Sequence, residues 1–209
     1  MENCTKISNL HPNALSESEK HLIAPCGIYC GACDLFLGNS RNLAKEMYRI
    51  LNGFNMADVG PRAMGIRREK IVDFLNILQN WSLGSKCPGC WARHWENGAC
   101  PIRACSQHQA FLTCAECDRM PCNTSEQPPS SRAAAFLGLV TRRYSNWNIA
   151  NLEQIREVGY RRFVDEMQER VRNGFLTSDV ISGEMVISEA AEKMKRKTGK
   201  RGVRQKRSL

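Results

Sequence analysis

The chain has 209 residues, a formal net charge of +9 and a hydrophobic content of 42%. These values are typical of one globular domain, with or without a helical annex, and they allow a hydrophobic core. They exclude a membrane span, because the longest apolar run is only the eight residues from Ala133 to Val140, whereas a membrane helix needs about 20. The polar start MENCTKISNLHPNALSESEKH lacks the apolar core of a signal peptide, so we expect a cytoplasmic protein.

The excess positive charge lies near the C-terminus. Nine of the 30 Lys and Arg residues lie between Lys193 and Arg207, with no Asp or Glu among them. The remaining 21 equal the 21 acidic residues, so residues 1–192 are neutral overall. We therefore expect any non-specific attraction to nucleic acid to come from residues 193–209. This tail has no aromatic residue for base stacking, and the alternative is a solvated, disordered end that contacts nothing specific.

The elements predicted in chain order are mainly helices. After a polar N-terminal segment, residues 1–22, a helical insertion is expected at about residues 39–82. Two stripes at helical spacing indicate it, with a loop at Gly60-Pro61 between them. The stripes are Leu43, Met47, Ile50 and Leu51, then Ile71, Phe74, Leu75 and Leu78.

The part of the chain from Lys86 to Cys122 is dense in Cys, Gly and Pro and has little periodicity, which predicts loops and leaves room for a small α+β arrangement. Residues 124–132 have the composition of a linker, and residues 133–192 are expected to form a helical extension. There Asn151 is the predicted N-cap of a helix, and Gly174 is the predicted residue just after its end. Phe163, Met167 and Val171 form its apolar stripe.

Cysteine is the most informative residue type in this chain. Ten of the eleven cysteines lie within a single Cys-rich region, residues 23–123. They are Cys26, Cys30, Cys33, Cys87, Cys90, Cys100, Cys105, Cys114, Cys117 and Cys122. Two residues between cysteines suit two thiolates on one metal ion better than a disulfide. Because cytosolic thiols stay reduced, the three Cys-x2-Cys pairs predict a metal-binding region, and a secreted disulfide scaffold is the competing interpretation.

The spacing does not determine which cysteines share an ion, since ten thiols exceed the eight that two Cys4 zinc sites need. The preferred partition gives two zinc ions. It assigns Cys87, Cys90, Cys100 and Cys105 to one ion, and Cys30, Cys33, Cys114 and Cys117 to the other. It leaves Cys26 and Cys122 as alternates or as buried thiols. His94 and His108 are potential substitutes for a cysteine ligand.

Two alternatives to a structural zinc site stay open. Cysteine thiolates also hold [4Fe–4S] clusters, so an iron–sulfur protein with a redox, sensing or enzymatic role is the first. The second is a zinc enzyme with an open coordination position. Its candidate general bases are Asp34, Glu116 and Asp118, although carboxylates beside a ligand on a loop are more often simply solvated. A thiol-redox role for CPGC is disfavoured, because no strand is predicted before it.

Several motifs also occur together in a fixed order: CGIYCGACDLF, CPGCW, CPIRAC and CAECDRMPC. In these the chain resembles a bacterial and archaeal family catalogued as domain of unknown function 3795, over about residues 23–123. The stretch NLEQIREVGYRRFVDEMQERVRNGF is similar to the extension of longer members. The resemblance implies a cysteine-rich, zinc-binding domain without an assigned activity, with the ten cysteines from Cys26 to Cys122 as its matching positions. The basic tail is not part of that pattern.

Together these observations predict a mainly α fold with a loop-rich, metal-stabilised cysteine region and a helical C-terminal extension. The expected function is that of a zinc-stabilised structural or interaction module, rather than an enzyme.

Overall fold

The structure is a computed structural model that describes residues 5–7, 9–92, 100–122 and 132–181. Within these ranges the chain is mainly helical, which confirms the predicted fold class, and two isolated antiparallel bridges are the only β pairing. The α-helices are α1 (Glu17–Lys20), α2 (Asp34–Leu37), α3 (Asn39–Gly53), α4 (Met56–Met64), α5 (Arg68–Leu83), α6 (Pro101–His108), α7 (Arg132–Arg143) and α8 (Trp147–Arg172). Short 3-10 helices lie at Pro12–Ala14, Cys30–Ala32, Cys114–Glu116 and Thr177–Val180.

Some predictions concern residues outside the described ranges. These are His94, all but the last residue of the predicted linker, the end of the helical extension and the basic tail. The predicted domain boundaries therefore stay predictions.

The main hydrophobic core is built around α8. The apolar stripe predicted in this helix is confirmed where Phe163 and Met167 are buried. The ring of Tyr29, from the Cys-rich region, meets that of Phe163 edge to face, with centroids 6.0 Å apart. Leu10 and Leu15 of the N-terminal segment are buried in the same cluster. The N-terminal segment, the Cys-rich region and the helical extension thus share one core.

Helix α8 begins four residues before the predicted N-cap, Asn151, because Asn146 takes the N-cap position in a left-handed conformation. The helix is sharply bent at Gly159, whose φ of 80° and ψ of 166° are not helical. A hydrogen bond of 2.6 Å from Gln154 to Glu166 spans this bend, whereas 12 residues of straight helix would separate the two by about 18 Å. The predicted end is confirmed: Gly174 has a φ of 93° and follows the helix closely.

The predicted helical insertion contains α3, α4 and α5. Lys86, just after α5, lies against Gly38, just before α3, and the amide of Cys87 donates to Leu35 O at 3.1 Å. The end of α5 is therefore next to the start of α3, so the two helices form an antiparallel hairpin. We call α3 and α5 the insertion hairpin.

The loop predicted at Gly60-Pro61 is wrong, because both residues lie within α4. Gly60 is buried, and a Cβ there would lie 2.6 Å from Cδ1 of Ile71 on α5. Close packing of α4 against α5 requires this glycine. The packing outweighs the low helix propensity of the Gly-Pro pair. The loops predicted from Lys86 to Cys122 did not include a helix, but α6 lies within this region. Pro101 occupies a first-turn position of α6 that suits proline.

Candidate metal centre

A tight turn holds the first two cysteines of the Cys-rich region. The amide of Gly27 donates to Ala24 O at 2.9 Å, and the amide of Ala24 donates to Ile28 O at 2.8 Å. Gly27 has a φ of 89°, which glycine adopts without strain. The turn leaves Cys26 and Cys30 both buried.

Two asparagines of α8 fix this turn. Asn148 Nδ2 donates to Cys26 O at 3.1 Å, and Asn151 Nδ2 donates to Gly27 O at 2.8 Å. Both side chains are buried. A buried asparagine in an amphipathic helix carries a weak sequence signal, since it interrupts the apolar face, but nothing in the sequence indicates its partner.

Cys90 and Cys100 reach the same place from a different part of the chain. Arg103 on α6 donates to Cys90 O at 2.8 Å, and Trp91 Nε1 donates to Ile23 O at 3.0 Å. Cys100 is the N-cap residue of α6. The beginning of α6 and the segment before Ala92 are thereby attached to the turn that carries Cys26 and Cys30.

The four thiols gather in an apolar setting, and we call Cys26, Cys30, Cys90 and Cys100 the first thiol group. Burial, together with the nearby Cys90 and Cys100, raises the pKa of Cys26 to about 12. A hydrogen bond with Cys90, together with burial, holds the pKa of Cys30 well above its ordinary value. The group packs with Ala24, Ile102 and Leu137.

A second thiol group consists of Cys105, Cys114 and Cys117. Burial raises the pKa of Cys114, and the nearby Cys26, Cys105 and Cys117 raise it further. The 3-10 helix Cys114–Glu116 forms the knuckle between the two cysteines of this Cys-x2-Cys pair. Cys26 of the first thiol group is therefore also near Cys114 of the second.

The grouping differs from the partition predicted from spacing. That partition left Cys26 without an ion, whereas the structure places it beside Cys90 and Cys100. Cys30 has Cys90 and Cys26 as thiol neighbours. Cys33 occupies the N-cap position of α2 without a side-chain capping hydrogen bond, and it lies near the phenol of Tyr144, which is also near Cys26 and Cys30. The remaining ligand candidates, Cys87 and Cys122, are partly buried. His108 is exposed at the end of α6.

The chemistry of these side chains fits a metal ion bound by thiolates, since all members of both groups are cysteines without a disulfide. The arrangement is not closed around a common centre. Among the residues that the structure describes, no three His, Cys, Asp or Glu side chains are placed as they stand to hold a metal ion.

Glu116, one candidate general base, serves a structural role. We expected a solvated carboxylate, but its side chain is fully buried and accepts from the amide of Leu112 at 2.6 Å. The hydroxyl of Tyr160 donates to it at 2.8 Å, and Lys6 Nζ lies 3.1 Å from it. Burial and this carboxylate raise the pKa of Tyr160, so its hydroxyl keeps its proton and remains a donor.

The other two carboxylates are also engaged in local structure. Asp34 accepts from Asn39 Nδ2 at 3.0 Å, and Asp118 accepts from the amide of Thr5 at 3.1 Å. The geometry thus gives none of the three the role of a base poised beside an open metal position.

Arg156 on α8 holds the second thiol group in place. Its guanidinium donates to Ala115 O at 2.9 Å, to Met120 O at 3.1 Å and also to Cys117 O. Three carbonyls of one loop thus converge on one side chain. The sequence does not single out this arginine, because it stands in a helix that carries many charges.

The fold and its thiol groups define a mainly helical, cysteine-rich domain against which the C-terminal helix α8 packs. Residues 22–127, half of the chain, match the family model described as "Protein of unknown function (DUF3795)". The chain belongs to this family, which confirms the resemblance seen in its motifs. Neither a curated protein nor a solved structure matches it significantly. No helix in the described ranges combines the length and apolar character needed to cross a membrane.

Proposed function

We propose that the protein is a zinc-stabilised structural module of the cytoplasm, in which the first thiol group holds one zinc ion. The observation that supports it is the convergence of four cysteines, from the turn after Pro25 and from both sides of residues 91–99, in an apolar environment. Zinc bound by four thiolates would cross-link these segments, which lie far apart along the chain.

A second zinc ion is proposed at the second thiol group, with Cys122 as the nearest cysteine in sequence to complete its ligands. Because each thiol must lose its proton to bind, uptake of zinc releases protons into solution. A structural role is favoured over a catalytic one because Asp34, Glu116 and Asp118 are held by neighbouring groups.

Metal analysis of untagged protein purified without oxygen tests the identity of the metal. We expect a colourless protein with about two zinc ions per chain, one for each thiol group. A brown protein that contains iron and sulfide in equal amounts would establish the [4Fe–4S] alternative and reject zinc.

Single substitutions distinguish the two groupings of cysteines. We expect Cys26→Ser to lose one zinc ion per chain, because Cys26 lies among the sulfurs of Cys90 and Cys100. Cys33→Ser should keep both ions, because the first thiol group as proposed does not include Cys33. Zinc stoichiometry by mass spectrometry is the measurement, and circular dichroism checks that both variants fold. The opposite pattern would support the partition based on spacing and would contradict the first thiol group.

For the basic tail, we propose non-specific affinity for polyanions through Lys193 to Arg207. Deletion of residues 193–209 is expected to abolish retention on a heparin column while the zinc content stays unchanged. Retention of the shortened chain at the same salt concentration would show that the body binds the polyanion instead.

A further inference from the structure

The insertion hairpin carries an uncovered apolar face. Seven large apolar side chains on it are each between 42% and 71% exposed. They are Leu43, Met47, Ile50 and Phe54 on and just after α3, and Phe74, Ile77 and Trp81 on α5. The helices of the hairpin pack mainly on each other, on α4 and on α2.

On both helices of the hairpin, the exposed residues stand at a constant offset from the less exposed residues, which face the other helix. On α3, Leu43 and Met47 each precede by one position a residue of the less exposed side, Ala44 or Tyr48. On α5, Phe74 and Ile77 likewise precede the buried Leu75 and Leu78. One position is a rotation of about 100° around a helix axis.

On each helix the exposed stripe is therefore rotated away from the side that faces the other helix, and the rotation has the same sense when each helix is viewed along its own chain direction. For two antiparallel helices, equal rotations in the same sense bring both stripes to the same side of the pair. The seven side chains thus form one continuous surface, which we call the hairpin face. A contiguous exposed apolar surface of this size marks an interaction site in most proteins.

We propose that a second copy of this chain covers the hairpin face, so that two hairpins pack as a four-helix bundle around a two-fold axis. The exposed parts of the seven side chains amount to roughly 700–800 Å² per protomer, which matches the ~800 Å² per partner of a standard stable interface. Antiparallel hairpins with one apolar face are the units from which such bundles are built.

The charges at the edges of the hairpin face suit self-association. Glu46 and Arg49 on α3 each stand one position before a stripe residue, and so does Asp73 on α5. Lys70 stands one turn before Phe74, at the end of the α5 stripe, and all four are exposed. Glu46 and Arg49 also form an ion pair at 2.5 Å. In a two-fold interface each edge meets its own copy, so a rim of one sign would repel itself. This rim has two charges of each sign, whereas a partner selected by charge requires an excess of one sign.

Sedimentation equilibrium of the full-length, zinc-loaded protein at micromolar concentrations tests the proposal. We expect a dimer, and we expect the double variant Leu43→Glu/Ile77→Glu to raise the dimer Kd roughly a hundredfold, because each glutamate would be buried without a partner. Leu139→Glu on α7 is the matched control, since Leu139 is similarly exposed on another helix, and it should stay dimeric.

The side chains to be replaced are exposed, so the variants keep their helix content by circular dichroism. A monomeric wild-type protein overturns the proposal, including a monomer whose hairpin face binds a different macromolecule. A double variant that remains as dimeric as the control also overturns it. Neither result bears on zinc, whose stoichiometry is measured separately.

Discussion

Replacing Gly27 by alanine is expected to lower the free energy of unfolding by about 4 kcal/mol or more, through strain and overpacking together. A Cβ at this position would lie 2.2 Å from the backbone oxygen of Asn148 and 2.7 Å from Cγ of Leu152. One of these atoms belongs to the backbone of a helix, so it cannot move aside as the end of a flexible side chain can. The positive φ of Gly27 adds its own penalty.

The same substitution is expected to weaken zinc binding, because the turn would move away from α8 and carry Cys26 with it. Gly174→Ala separates the two causes: Gly174 has a φ of 93°, but a Cβ there would meet nothing within 4 Å. We expect Gly174→Ala to cost roughly 1–2 kcal/mol and to leave the zinc content intact. Urea unfolding and metal analysis measure both quantities. If the two variants lost equal stability, the contact between Gly27 and α8 would be refuted.

The sequence predicts the helices best where one stripe of apolar residues faces the core. Phe163 and Met167 illustrate this, since both are fully buried at their expected spacing. The stripe of Leu43 and Met47 has the same spacing but is exposed. Periodicity shows that a helix has an apolar face, but it does not show whether the same chain covers that face.

For the candidate site, too, the sequence predicts the local pattern but not the contacts between distant parts of the chain. The cysteine spacing is enough to predict thiol clusters, but not that Cys30 lies beside Cys90, because the position of Cys90 depends on contacts made by Arg103 and Trp91. Glu116 shows the limit for carboxylates, since a buried acid and a solvated one look alike in the sequence. Its environment comes from Tyr160, 44 residues away along the chain.

Replacement of Arg156 by methionine is expected to destabilise the protein by about 3 kcal/mol, because three carbonyls lose a charged donor at once. Methionine keeps much of the apolar length of the side chain, so the loss reports the hydrogen bonds to Ala115, Cys117 and Met120. Arg162→Met is the matched control on the same helix. Arg162 makes an exposed ion pair with Glu166 at 2.8 Å, and removing such a pair costs about 0–1 kcal/mol.

The zinc content of Arg156→Met links stability to the site. Because Arg156 holds the carbonyls around the Cys114–Cys117 knuckle, we expect the zinc of the second thiol group to be lost first when a chelator is added, while the first group keeps its ion. Uniform loss of both ions would mean that the two thiol groups form a single unit, with Cys26, near Cys114 as well as Cys90 and Cys100, as the shared residue. Equal stability of Arg156→Met and Arg162→Met would show instead that α8 does not secure the knuckle through this guanidinium.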